Sequence, residues 1–398
     1  MHKSDCVQFL VYLCLILSPI HFAKASNLYV DEQAFLFDIP TVTSATRLTQ
    51  HLRDAPVSMT VIDRNSIQAS GAQTIPDLLR LVPGFQVAHV NTNKYAVTYH
   101  GHSDDFPKRL EVMVDGRSVY MPLISSPDWT SLGVHLDDIE KIEVIRGSNT
   151  ATHGSNAFLG AINIITRHPA SVPRASGSLS LGSLNTTNSQ LRFSGMTPQG
   201  HYRLSYGHEQ NSGSRQFSDG ARRNYLNFSG SYAPTDDDQI EIRLGIDRGY
   251  TTIGSLKTPN SVDNIVTKER DYRSNFQHIV WNHTLTNQLS IELSGYRNAL
   301  RLAEQTTSLG DLLRLNSLNL YQLWKSDPTI FNQCSQQPIL DPVICQVINL
   351  QANSLSSTPN FRLHDENGST RQEDIQLSTI LNQENLSSVI GMGYRRYR

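Results

Sequence analysis

Gly147, Gly154 and Gly160 punctuate the stretch DDIEKIEVIRGSNTATHGSNAFLGAINIITRHP, Asp137 to Pro169, between the apolar runs Ile142 to Ile145 and Ala161 to Ile165. Glycines so placed let a backbone approach something closely. A nucleotide phosphate is one candidate, because glycine-rich turns after strands cradle phosphates. The spacing, however, is neither G-x-G-x-x-G nor G-x-x-x-x-G-K-S/T, and no lysine follows. Elsewhere the residues that do chemistry are sparse. His100-Gly101-His102-Ser103-Asp104-Asp105 is the densest cluster of ligand-type side chains, and a hydrated polar loop is the commoner use of such residues. The fourteen histidines show no metal-ligand spacing, and G-x-S-x-G, H-E-x-x-H and C-x-x-C are absent. No enzyme, cofactor or metal is expected. A formal net charge of -2, without a run of five like charges, leaves no footprint for nucleic acid.

The elements that carry these residues begin with an export signal. Lys3, the apolar run Val7 to Leu17, the break at Ser18-Pro19 and Ala23-Lys24-Ala25 before Ser26 have the layout of a secretory signal with an A-x-A cleavage site. Cys14 does not read as a lipoprotein cysteine, since bulky Val11-Tyr12-Leu13 precede it. Removing residues 1–25 removes Cys6 and Cys14 and leaves Cys334 and Cys345, an even pair bound for an oxidising compartment, read as one local disulfide. No later apolar run reaches helix-spanning length and the hydrophobic fraction is 38%, which excludes a helical membrane protein but not a β-barrel.

From about Ser176 onward the chain breaks into segments of about ten residues with period-two alternation, the length a tilted membrane strand requires. Nine are predicted: ASGSLSLG, SQLRFSGM, HYRLSYGH, RNYLNFSGSY, QIEIRLGID, SNFQHIVWNHTL, QLSIELSGYRN, EDIQLSTILN and SSVIGMGYRRY. In QIEIRLGI, Ile240, Ile242, Leu244 and Ile246 point one way while Glu241 and Arg243 point the other. Tight turns at Thr197 to Gly200, Ala233 to Asp238 and Thr286 to Gln288 alternate with long polar stretches at 207–222, 248–272 and 302–371. A β-sandwich shares the strand spacing, whereas this asymmetry of loop length belongs to outer-membrane barrels.

Before Pro169 the texture is α+β. VSMTVID is a predicted strand, and TIPDLLRLVPG a helix capped by Thr74, with Pro76 at its first position and Pro83-Gly84 as its stop. QVAHV, the pair RLEVMVDG and RSVYM joined at Asp115-Gly116, KIEVIRG and GAINIITR supply further strands. The expected layout is a signal peptide at 1–25, an N-terminal segment at 26–50, an α+β domain at 51–169 and antiparallel transmembrane strands at 170–398.

This combination resembles the TonB-dependent outer-membrane receptors. The resemblance is carried by FDIPTVTSATRLTQ, APVSMTVIDRNSI, IPDLLRLVPGFQV, LEVMVDGRSVY and the glycine-containing stretch, and covers Phe37 to Arg167 closely. It implies a plug domain folded inside a 22-stranded barrel, so that Gly147, Gly154 and Gly160 are structural and touch no phosphate. It further implies that Arg146 pairs with a buried carboxylate between plug and wall. Ile39-Pro40-Thr41-Val42-Thr43-Ser44-Ala45 is similar to the segment by which such receptors add a strand to the periplasmic protein TonB; Pro40 has no N–H to contribute. Tyr95, His100, His102, Asp104 and Asp105 are the cargo-facing candidates. The implied partners are the TonB complex, outer-membrane lipid and a metal-chelate or cobalamin-like cargo. Ser148 and His153 depart from the proline and tyrosine usual in the family, and His100-Gly101 stands where Arg-Gly is common. Nine strands are too few to surround such a plug, so a truncated receptor is expected, with a non-transporting surface or adhesin-like protein as the alternative and a secreted enzyme as a more distant one.

Overall fold

The computed structural model describes residues 40–101, 109–122, 126–154, 156–215, 219–253, 268–306, 322, 364–383 and 386–398. The signal peptide, Ile39, His102, Asp104, Asp105, Cys334 and Cys345 lie outside the described residues. Thr41–Arg398 forms one compact unit, with no helix long and apolar enough to cross a membrane among the described residues.

The plug begins with β1 (Thr41–Val42) and β2 (Gln50–His51), followed by β3 (Ser58–Asp63), α1 (Arg64–Ala69), α2 (Ile75–Leu79), β4 (Phe85–Asn91) and β5 (Lys94–Tyr99). Next come β6 (Leu110–Val114), β7 (Arg117–Ser118), β8 (Tyr120–Met121), β9 (Ser126–Pro127), β10 (Ile139–Arg146), α3 (Thr150–His153) and β11 (Gly160–Thr166). A five-stranded sheet in the order β3-β10-β11-β6-β7 forms its centre, antiparallel except for the β11–β6 pair. Both faces of this sheet are covered, which explains why β6 is buried at every position. Ile62, Val112, Ile142, Val144, Ile162 and Ile164 pack on one side with Ile75, Leu78 and Leu79 of α2. Met59, Met113, Ile145 and Ala161 pack on the other side with Val42 and Ala45 from the N-terminal segment.

The predicted plug strands are present, with two differences at the helices. Pro76 is the second residue of α2, and the Thr74 hydroxyl donates to the Asp77 carboxylate at 2.7 Å rather than capping a backbone N–H. The helix α1 was not predicted from sequence; Asp63 caps it by accepting from the Ser66 N–H at 2.7 Å. Asp115 and Gly116 turn β6 into β7 with φ of 52° and 80°, the two-residue geometry that Asp-Gly favours.

The wall is one nine-stranded antiparallel sheet whose strands follow chain order. They are β12 (Ala175–Gly182), β13 (Thr186–Thr197), β14 (Gly200–Asn211), β15 (Ala221–Tyr232), β16 (Asp238–Ile253), β17 (Lys268–Thr286), β18 (Leu289–Thr306), β19 (His364–Gln383) and β20 (Leu386–Tyr397). All nine predicted segments are strands. The stretches read as long connections are shorter, because β16 to β19 run on through 16 to 20 residues. The outward face carries exposed Leu191, Phe193, Leu204, Leu226, Ile246 and Ile279. The inward face carries buried Arg192, Arg203, Ser205, Asp247, Ser274 and Asn298. That is the apolar-out, polar-in alternation of an outer-membrane wall.

Candidate functional site

The glycine loop approaches the chain's own N-terminal segment. Gly147 and Gly154 adopt φ of 101° and 86°, which a side chain would strain. They hold the loop where the Gly147 N–H donates to Leu159 O at 3.1 Å and the Gly154 N–H to Thr150 O at 2.9 Å. From this loop Asn149 Nδ2 donates to Ala45 O at 3.2 Å, and His153 Nε2 lies 2.6 Å from Ser44 O. In return, Arg47 Nη2 donates to Thr152 O at 3.0 Å.

Glu143, fully buried on β10, completes the groove. One of its carboxylate oxygens accepts from Thr43 N at 3.1 Å, Ser44 N at 2.9 Å and Ser44 Oγ at 2.5 Å. Lys141 Nζ lies 2.8 Å from the other. Asn163 Nδ2 donates to Ser44 Oγ at 3.0 Å. The TonB-box-like residues Thr41, Val42, Thr43, Ser44 and Ala45 are therefore docked: Val42 pairs with Gln50, and Val42, Ser44 and Ala45 are buried, while Pro40 is exposed at the entrance.

Burial, with the guanidiniums of Arg47 and Arg395 nearby, lowers the His153 pKa from 6.5 to about 4. A neutral imidazole is thus the docked form. The contribution is complete above pH 6.5 and is lost as the pH falls from 6.5 towards 4, because the released histidine takes up the proton first. At pH 5 docking is expected to weaken about 30-fold relative to pH 7.5. Hydrogen exchange of the Thr43 to Arg47 amides, corrected for intrinsic rate, checks this; equal protection at the two pH values, or the same loss in His153→Gln, refutes it.

The opposite end of the plug meets the long-loop end of the wall. Asp219, fully buried, accepts from Thr92 N at 2.7 Å and from Ser214 N at 2.7 Å. The side-chain amides of Asn93 and Asn211 exchange hydrogen bonds at 3.0 and 2.9 Å. Behind this clamp lies a cavity of about 110 Å³ lined by Tyr95, Trp129, His135, Glu209, Arg223 and Tyr250, among others. Burial raises the Tyr95 pKa and lowers that of His135. At this volume it holds a few waters or one small group, not a whole metal chelate. Tyr95 thus faces a cavity, whereas His100, with φ of 52°, is exposed with its ring 4.1 Å from that of Tyr99.

Buried ion pairs join plug and wall. Arg192 of β13 reaches Asp138 at 2.6 Å and Arg243 of β16 reaches Asp115 at 3.2 Å. Arg117 donates to Asn298 at 2.6 Å and stacks 3.9 Å from the Phe276 ring centroid; its burial lowers its pKa to about 10. The expected carboxylate partner of Arg146 is not present among the described residues, and its Nε has no hydrogen-bond partner. Arg146 ends β10 between Ser58 and Gly160, whereas Asp138, just before β10, faces the wall. Sequence reasoning missed Asp138, Glu143 and Asp219. Only Glu143 carried a local signal, an acid inside the apolar run Ile142 to Ile145; the partners of Asp138, Glu143 and Asp219 lie 54, 99 and 127 residues away.

Buried ion pairs thus hold the plug sheet against an apolar-out, polar-in wall. Residues 51–161 match the TonB-dependent Receptor Plug Domain family, so the chain carries a plug domain of the kind found in TonB-dependent receptors. It is 32% identical over 168 residues to the vitamin B12 transporter BtuB of Photobacterium profundum, covering 42% of this chain and 25% of that one. It is 28% identical over 167 residues to the ferripyoverdine receptor of Pseudomonas aeruginosa, covering 41% and 19%. In fold it is similar to BauA, the ferric preacinetobactin receptor of Acinetobacter baumannii, with a TM-score of 0.62 and 10% identity over 90% of this chain and 49% of that one. The chain thus spans about half the length of that receptor and aligns with a quarter or less of these two curated relatives.

Proposed function

We propose that this chain is the plug and part of the wall of a receptor that acts in energy-coupled import across the outer membrane of a scarce large nutrient, a ferric siderophore or a cobalamin-like molecule, with TonB as the periplasmic partner. The observation that carries this reading is the two-ended plug. At one end the TonB-box-like segment is docked, with Arg47 facing Glu292 near the short-turn end of β18. At the other, the plug turn at Thr92 and Asn93 is clamped to the connection between β14 and β15. Strand addition needs free main-chain groups, and in the docked segment these are occupied, so coupling requires undocking. An exported chain cleaved after Ala25 and carrying a Cys334–Cys345 disulfide belongs to the same reading.

Val42→Pro tests it, because proline removes the N–H that strand addition uses. Uptake of labelled cobalamin and of a panel of ferric siderophores is expected to fall at least about tenfold, with cargo binding at the cell surface retained. Uptake that persists after the proton-motive force is dissipated, or in a cell lacking TonB, would sink the proposal.

A further inference from the structure

Arg248, Arg273 and Arg301 stand side by side on three adjacent strands: Arg248 is the register partner of Arg273, and Arg273 of Arg301. All three are exposed, while their strand neighbours Asp247, Tyr272, Ser274 and Leu300 are buried on the plug side. Alternation along each strand therefore turns the arginines to the outer face of the wall. Asn224 and Ser369 end the row. Among the outward positions next to it, Asp271 is acidic and Ile246, Tyr250, Asn275, Ala299 and Ala303 are uncharged. Among the described residues none of the three arginines has an ion-pair partner.

Like charges directly opposite one another destabilise an antiparallel pair, and here three guanidiniums are aligned with one acid nearby. The position of the row says which anion relieves them. Ile246, one outward position from Arg248, is 50% exposed, and Leu226, Leu244 and Ile279 continue an exposed apolar surface towards the short turns. The row thus borders the apolar band on its long-loop side. A free solute has no reason to prefer that border. An amphiphile with acyl chains against the band and phosphates level with the arginines satisfies both surfaces, and guanidinium forks match phosphate oxygens in pairs.

We propose that Arg248, Arg273 and Arg301 form a binding ladder for the phosphorylated headgroup of an outer-leaflet glycolipid. The proposal rests on the sheet being an outer-membrane wall, but on neither TonB nor cargo. The full chain, purified from outer membranes in neutral detergent, is titrated with bis-phosphorylated lipid A and, in parallel, with dephosphorylated lipid A and inorganic phosphate. Binding of bis-phosphorylated lipid A is expected to be weakened about tenfold or more in Arg248→Gln/Arg273→Gln/Arg301→Gln and unchanged in Arg53→Gln, an exposed plug arginine. Wild-type binding is expected to weaken with added salt. Retention of β-sheet content in the triple variant shows that folding is intact. Equal binding by the triple variant, equal binding of dephosphorylated lipid A, or inorganic phosphate binding as tightly as the lipid would each overturn the ladder. A chain that binds lipid A yet imports nothing would refute the importer and leave the ladder standing.

Discussion

Asp138→Asn is expected to destabilise the joined plug and wall by about 3 to 5 kcal/mol, the usual cost of removing one partner from a buried ion pair. Asp138 is 2% exposed and accepts from Arg192 Nε at 2.8 Å and from Gln190 Nε2 at 3.1 Å, while Arg192 Nη2 lies 2.6 Å away. Asparagine keeps the shape and loses the charge, leaving the Arg192 guanidinium buried among neutral groups. Adding Arg192→Met is expected to recover most of the loss, because an unpaired buried cation, not a missing attraction, is the main penalty. Urea unfolding of the detergent-solubilised chain, followed separately by plug and wall signals, provides the test. A single-variant loss below about 1 kcal/mol would mean that water already screens the pair.

Gly160→Val should be the most disruptive single change in the glycine loop, costing about 3 kcal/mol or more at the upper end of overpacking effects. A Cβ at Gly160 would sit 2.6 Å from the carbonyl oxygen of Ile145 and 3.4 Å from Leu110 Cδ1, at the start of the central strand of the plug sheet. Backbone cannot yield there without breaking the β10–β11 ladder, in which Gly160 pairs with Arg146. Gly147→Ala is the informative contrast. Nothing lies within 4 Å of its added Cβ, so the cost is that of φ 101° alone, about 1 to 2 kcal/mol. Hydrogen exchange across β3 and β10 ranks the two, and similar losses would refute the steric account.

The wall was legible because membrane strands must alternate, and every apolar half-period found its strand. Strand ends were less so. β17 starts at Lys268 and β19 at His364, well before the apolar alternation that marked them, because their leading residues KERD and HDENGSTR are polar while the ladder continues. The plug strands were legible from apolar runs between turn residues. What the glycines approach was not: Ser44 and Glu143 carry no local sign of each other, and their contact depends on the sheet order β3-β10-β11. Arg146 drew attention as a charge ending an apolar strand, yet the same sheet order directs Asp138, not Arg146, to the wall.

That sheet order also governs when the plug can form. Its first long strand, β3, pairs with β10, and the docked segment reaches partners 99 to 119 residues away, on β10 and β11. Local helices and the Asp115-Gly116 turn can form early, but a sheet closed by contacts so distant in sequence is slow to nucleate, since loop-closure entropy is lost before any pairing compensates it. The groove that receives Thr43 to Arg47 does not exist until β11 is in place. A nascent chain therefore cannot close its plug sheet until Thr166 has been made, and the residues of the docked segment, made early, are among the last to find their place.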